Sequence, residues 1–130
     1  MALIYFYDST HIDKKQLTQG LIETDHHWEF VEESISMENI NPDAEVISVF
    51  ITSVVTKEMI EAMPKLKLIA CRSTGFNNIN LQVAKEKGIV VENVPTYGEE
   101  TVAEYAFALL LSLSRKLVPT LKTFGEETPT

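Results

Sequence analysis

Twice in succession the chain runs an apolar strand into a loop of small polar residues and then into a helix. That repeat restricts the possible folds more than any other feature. Residues 66–71 close on Leu-Ile-Ala-Cys and lead into Arg72-Ser73-Thr74-Gly75-Phe76-Asn77-Asn78-Ile79-Asn80. Residues 89–92 lead into Asn93-Val94-Pro95-Thr96-Tyr97-Gly98 and a long helical sequence. Strands joined through helices form parallel sheets, and both loops then lie at the carboxyl ends of neighbouring strands, where open sheets bind ligands. Gly75 lets the backbone approach a ligand closely and offer bare N–H groups, although an ordinary turn glycine has the same appearance.

The remaining segments extend this pattern. Strands are predicted over residues 2–7, 28–31 and 46–51. A helix over residues 11–23 opens with a Thr10/Asp13 capping box and has Ile12, Leu17, Leu21 and Ile22 on one face. Thr56 caps a helix that Pro64 stops, and Asn80 caps a short helix that ends at Gly88. Residues 32–45 are polar, contain Asn41-Pro42 and are predicted as loop. The expected fold class is α/β, a doubly wound parallel sheet of about five strands in the order 2-1-3-4-5 with helices on both faces. One rim would then hold Asp8, Ser9, Thr52, Ser53, residues 73–75 and residues 96–98.

The last element is of another kind. Thr101 and Glu104 fit a capping box, and Glu99 and Glu100 suit a helix N-terminus. From Val102 to Leu113 apolar residues cover nearly the whole circumference. A helix apolar all round must be buried on all sides, and a small sheet offers it only one. The expectation is a long apolar C-terminal helix packed on another domain or a second copy of the chain. The alternative is a helix sunk within this domain. Residues 123–130 are small, polar and acidic and are expected to fray.

Several function classes are excluded. The formal charge of −8 argues against a general nucleic-acid surface and against docking on an anionic membrane. The single cysteine, Cys71, permits no internal disulfide, which fits a reducing, cytoplasmic setting. It closes an apolar strand and is read as a small buried side chain. The apolar start lacks a basic flank, and the apolar run over residues 106–111 is far too short to span a bilayer. His11, His26 and His27 have no metal-ligand spacing, and the His26-His27 pair is read as an exposed turn. There is no Gly-x-Ser-x-Gly elbow, no Gly-x-Gly-x-x-Gly fingerprint and no phosphate loop. A phosphoacceptor receiver domain shares the expected strand order, but Val49-Phe50-Ile51-Thr52-Ser53 lacks the carboxylate a magnesium site needs, and no lysine follows strand five. What remains is a small-anion half-site: backbone N–H groups of Ser73-Thr74-Gly75, with the hydroxyl and ring of Tyr97, and no general base beside them.

The stretch Arg72-Ser73-Thr74-Gly75-Phe76-Asn77-Asn78-Ile79-Asn80, followed by Ala84-Lys85-Glu86-Lys87-Gly88-Ile89-Val90-Val91, Asn93-Val94-Pro95, Tyr97-Gly98 and Glu100-Thr101-Val102-Ala103-Glu104, closely resembles the D-isomer-specific 2-hydroxyacid dehydrogenases. The resemblance is strong over residues 65–116. It implies a flavodoxin-like substrate domain over residues 1–98, an interdomain and dimer-interface helix over residues 99–121, and a flexible tail over residues 122–130. The Rossmann domain that binds NAD is absent from these residues. It further implies interconversion of small, lactate-like 2-keto acids and D-2-hydroxy acids, inactivity of this chain alone, and a homodimer through the helix of residues 101–118. Thr74 and Gly75, next to Ser73, would hold the substrate carboxylate by their backbone. Tyr97 would line the pocket, Phe50 or Ile51 would touch the substrate side chain, and Val102 would approach the nicotinamide. No catalytic residue is expected within the chain. Asn77 and Asn80 stand where the family usually has aspartate, which bears on the geometry of the loop. Two further readings on the same fold are a non-enzymatic ligand-binding module and a pure assembly domain.

Overall fold

The computed structural model describes residues 1–126. They form two compact units, Met1–Pro95 and a second that begins at Thr96. In the first unit, β1 (Leu3–Phe6) leads to α1 (His11–Leu21) and β2 (His27–Phe30). After a long loop come β3 (Val46–Val49), α2 (Lys57–Ala62), β4 (Leu68–Cys71), α3 (Leu81–Glu86) and β5 (Val90–Glu92). The five strands make one sheet of order β2-β1-β3-β4-β5, and every pairing is parallel. This is the order expected from the sequence. It reverses between β1 and β3, the place where crossovers of one hand send helices to opposite faces and open a crevice.

Alternation along the strands selects the core. Tyr5 pairs with Ile47, and Ile47 with Ile69. These three, with Tyr7, Val49 and Cys71, point to one face and are buried. Met59, Ile60 and Met63 from α2 and Val83 and Ala84 from α3 close over them. The loop between β2 and β3 adds Ile35 and Ala44 to the same core. Its polar atoms are satisfied in passing: Asn41 Nδ2 donates to Tyr5 Oη at 2.6 Å, and Tyr7 Oη donates to the Asn39 carbonyl at 3.2 Å. Burial, reinforced by neighbouring Tyr5, pushes the Tyr7 phenol up to about 12.

The helix starts follow their expected caps. Thr10 and Asp13 form a reciprocal capping box, Thr56 Oγ1 accepts from Met59 N, and Asn80 Oδ1 accepts from Val83 N. Gly88 has φ +70, a conformation that glycine adopts at a helix C-terminus without a Cβ clash.

Two expectations in this unit are corrected. Ile12, expected to share one apolar face of α1 with Leu17 and Leu21, is 66% exposed while those two are half-buried, and no residue of that helix is buried. The apolar stripe is too narrow, because Asp13 and Lys14 interrupt it and are bonded to Thr10 and Glu32 instead. The histidine pair is not a free turn: His27 opens β2, and half-buried His26 accepts the Ala2 N–H at Nδ1 (3.1 Å), tying the start of β1 to β2.

The second unit holds α4 (Glu99–Ser114) and α5 (Leu117–Glu126). The helix begins earlier than its sequence suggests. Gly98 is the N-cap with no side-chain capping bond, and Thr101 lies inside the first turn, so the Thr101/Glu104 capping box does not form. Glu99 and Glu100 fill that first turn, where their charge suits the helix dipole. The helix also does not run unbroken to residue 118. It ends at Ser114, and Lys116 takes a left-handed φ of 51. Pro119 supplies the reason. Within a continuous helix its ring would meet the carbonyl of Arg115 and it could donate no N–H, whereas the first turn of a new helix accepts it. Residues 122–126 of the segment read as a tail belong to α5. Residues 127–130 lie outside the described residues.

Replacing fully buried Ile47 tests this core against the exposed helix. Ile47→Ala is expected to cost ~2–5 kcal/mol in urea unfolding. Ile12→Ala is expected to stay within about 0.5 kcal/mol. Similar losses for the two would contradict the assignment of the core to the α2/α3 face.

Candidate functional site

The carboxyl ends of β1, β3, β4 and β5 deliver four loops to one rim, as parallel pairing requires. The loop after β4 is the most polar of them. Ser73 is buried, and its hydroxyl donates to the Gly75 carbonyl at 2.7 Å while lying 3.1 Å from Cys71 Sγ. The side chain of Ser73 is therefore spent on curling the loop. Thr74 and Gly75 are exposed at its crest. Thr74 Oγ1 donates to the Val94 carbonyl (2.9 Å), Asn93 Nδ2 donates to the Thr74 carbonyl (2.8 Å), and Val94 N donates to the Ser73 carbonyl (3.1 Å). The β4 and β5 loops are thus stitched together through carbonyls and side chains. The backbone N–H groups of Thr74 and Gly75 make no hydrogen bond among the described residues.

Gly75 is not required by the fold. Its φ is not left-handed, and a Cβ built there would meet nothing within 4 Å. Neither a left-handed backbone nor a packing contact therefore accounts for the glycine.

The loop after β3 carries Phe50, half-buried, and Ile51, 60% exposed. It is held from two sides. Asn78, from the β4 loop, donates through Nδ2 to the carbonyls of Phe50 (3.0 Å) and Ser53 (2.6 Å). On the other side the Asp8 carboxylate accepts the Phe50 N–H (3.0 Å) and the hydroxyls of Thr52 and Ser34 (2.7 Å each). Burial alone would push the Asp8 carboxyl up. Hydrogen bonds from the Ser34, Ser53 and Thr52 hydroxyls and the Phe50 amide outweigh it and hold the group below the usual carboxylate range. Arg72 lies alongside, donating to the carbonyls of Tyr7 (2.7 Å) and Asp8 (3.2 Å) and to Ser48 Oγ (3.0 Å). Burial pulls its pKa down, against the opposing pull of Asp13 and Asp8.

The sequence alone places Asp8 on the rim without a bonding role and assigns none to Arg72 or Asn78. The available signals were an aspartate directly after an apolar strand, flanked by hydroxyl residues, and an arginine at the end of another, where its charge must be met. Asn77, whose missing charge was expected to bear on loop geometry, is exposed and makes no side-chain hydrogen bond among the described residues. The loop is shaped by Ser73, Thr74, Asn78 and Asn93 instead.

Tyr97 and Val102 belong to the second unit, where they are 67% and 70% exposed. Val102 lies in the first turns of α4, its N–H bonded to the Gly98 carbonyl. His26 and His27 are at the start of β2, the edge of the sheet opposite the rim, and His11 is exposed at the start of α1. No group of three or more His, Cys, Asp or Glu side chains among the described residues is arranged to hold a metal ion. The rim can accept an anion through backbone dipoles.

Comparison with known proteins gives this rim a family. Residues 4–126 match the family model "D-isomer specific 2-hydroxyacid dehydrogenase, catalytic domain", and the chain belongs to that family. It is 35% identical over 124 residues to a 2-hydroxyacid dehydrogenase homolog of Zymomonas mobilis, covering 92% of this chain and 36% of the relative. It is 31% identical to the D-lactate dehydrogenase of Escherichia coli over 115 residues, 85% of this chain and 35% of that enzyme. A crystal structure of D-lactate dehydrogenase from Aquifex aeolicus, complexed with NAD and lactic acid, superposes with a TM-score of 0.78 at 29% identity, over 98% of this chain and 39% of that one. The chain thus spans well under half the length of these relatives.

The Asn78 clamp can be tested by itself. Asn78→Ala leaves the Ser53 carbonyl without its donor and is expected to cost about 1–3 kcal/mol. Amide exchange should quicken across residues 50–53. An unchanged urea midpoint with unchanged exchange there would show that the clamp does not hold the turn.

Proposed function

We propose that this chain is the substrate-binding part of an NAD-dependent oxidoreductase that interconverts small, lactate-like 2-keto acids and D-2-hydroxy acids. The observation that carries the reading is the crest of the β4 loop, where Thr74 and Gly75 are exposed residues with unspent N–H groups in a family of 2-hydroxyacid dehydrogenases. A carboxylate is the anion such substrates share, and adjacent backbone amides suit it. Ser73 shapes the loop. Phe50 or Ile51 meets the substrate side chain, Tyr97 lines the pocket, and Val102 approaches the nicotinamide.

The sequence carries no Gly-x-Gly-x-x-Gly fingerprint for a dinucleotide. The loops after β1 and β3 contain no glycine, and the loop after β4 contains Gly75 alone. NAD would be held, and the hydride and proton transfers completed, by residues other than these. The chain by itself is therefore expected not to oxidise NADH with pyruvate, because an oriented cofactor and an acid/base group are both needed. Steady turnover by the 130 residues would refute that.

Self-association through the segment of residues 101–118 is part of the same proposal. Val102, Tyr105, Phe107, Leu110 and Leu113 are all more than half exposed on α4, and exposed apolar side chains gathered on one helix favour association. A concentration-dependent dimer is expected in sedimentation, and a monomer at high concentration would contradict it. No helix among the described residues is long and apolar enough to cross a membrane.

The carboxylate cradle is tested by Gly75→Ala. The fold leaves room for the methyl group, so stability should change by no more than about 0.5 kcal/mol. Affinity for pyruvate, measured calorimetrically, should fall at least about tenfold if the methyl blocks close approach to the amides, a loss of ~1.4 kcal/mol. Unchanged affinity would remove Gly75 from the site.

A further inference from the structure

We propose that Asp8 is a positioning residue whose carboxylate sets the turn of residues 50–53, and with it the shape of the pocket that receives the substrate side chain. The inference rests on the reading that Phe50 and Ile51 face the substrate.

Asp8 and Lys116 are the non-glycine residues with left-handed φ among the described residues. The helix break before Pro119 explains Lys116. Asp8, at φ 53, has no such cause, and a glycine would take that conformation without strain. An aspartate tolerates that conformation better than most residues, and its side-chain bonds offset the remaining cost. What it gives is visible in its bonds. Oδ1 accepts from Thr52 Oγ1 and Ser34 Oγ, and Oδ2 accepts from the Phe50 N–H. Those contacts fall on both sides of Ile51, so the carboxylate fixes where that exposed side chain begins and ends its turn.

Asp8 is itself anchored and can act as a template. Its N–H donates to the Glu33 carbonyl at 3.0 Å, and its carbonyl accepts from Arg72. The site lies where the strand order reverses between β1 and β3, the position at which open sheets form ligand crevices. Thr10, Asp13, Phe50 and Arg72 line the same small cleft. The charged groups that face Asp8 are thus the Arg72 guanidinium from the β4 loop and the Asp13 carboxylate from α1.

The test uses the chain labelled with nitrogen-15 and with carbon-13 at the isoleucine methyls, together with Asp8→Asn and Asp8→Gly. Asp8→Asn keeps the shape but loses the charge. Asp8→Gly removes carboxylate and backbone strain together, so loss of folding does not mask loss of the latch. In the unsubstituted chain the Phe50 and Thr52 amides should titrate together in the acid range, with a midpoint below the usual carboxylate value, and in Asp8→Asn they should not. The preference for pyruvate over a 2-keto acid with a longer side chain, read from the Ile51 methyl resonances, should change about tenfold or more in both variants, within the range one methylene can command in a pocket. Amides of Phe50 and Thr52 that ignore acid titration would overturn the proposal, as would an unaltered preference in two folded variants. Failure of the unsubstituted chain to bind any 2-keto acid would defeat the substrate reading. The amide titration would then decide separately whether Asp8 sets the turn.

Discussion

The half-buried guanidinium of Arg72 holds the carboxyl edge of the sheet together. Strands β1 and β3 diverge after Phe6 and Val49, because their chains leave for helices on opposite faces. Parallel pairing ends there, and backbone carbonyls are left without partners. Arg72 fills that gap, reaching from β4 to the carbonyls of Tyr7 and Asp8 and to Ser48 of β3. An arginine can do this because its fork carries several donors in one plane. A lysine would have to serve all three acceptors from a single nitrogen, where the guanidinium uses two. With β1 and β4 fixed to each other in this way, Asp8 can reach the Phe50 turn, and Asn78 can grip the same turn from the opposite side.

The rim thereby divides its polar groups into two sets. Side chains of Ser73, Thr74, Asn78 and Asn93 satisfy carbonyls and hold the loops. The N–H groups of Thr74 and Gly75 are left over. Unspent amide donors next to a glycine that no turn or packing contact requires are what a carboxylate-binding loop needs. Rigid loops matter here because an anion held by neutral dipoles gains little unless those dipoles are already oriented. In the proposed function that anion is the carboxylate of a 2-keto or 2-hydroxy acid, and the exposed apolar residues of α4 are the proposed surface for self-association.

Much of this architecture was legible in the sequence, because its signals were local. Strand–loop–helix alternation implied the parallel sheet and its order. Thr10, Thr56 and Asn80 announced their helices, and Gly88 ended one. The misreadings arose where a local signal competed with another residue. Thr101 resembles an N-cap, but Glu99 and Glu100 extend the helix past it. The apolar run continues through Leu117, but Pro119 cannot follow Arg115 in one helix, and the chain turns at Lys116. The roles of Asp8, Arg72 and Asn78 were less accessible still. Each bonds to residues more than twenty positions away, so no window of sequence contains both partners. The order of the strands was the only clue that these residues meet.

The most direct measurement is a crystal structure of the chain grown with pyruvate. A carboxylate within about 2.9 Å of the backbone nitrogens of Thr74 and Gly75, with the methyl group toward Phe50 or Ile51, is the predicted result. A pyruvate carboxylate bound to a side-chain cation elsewhere, with those two amides facing only solvent, would contradict it.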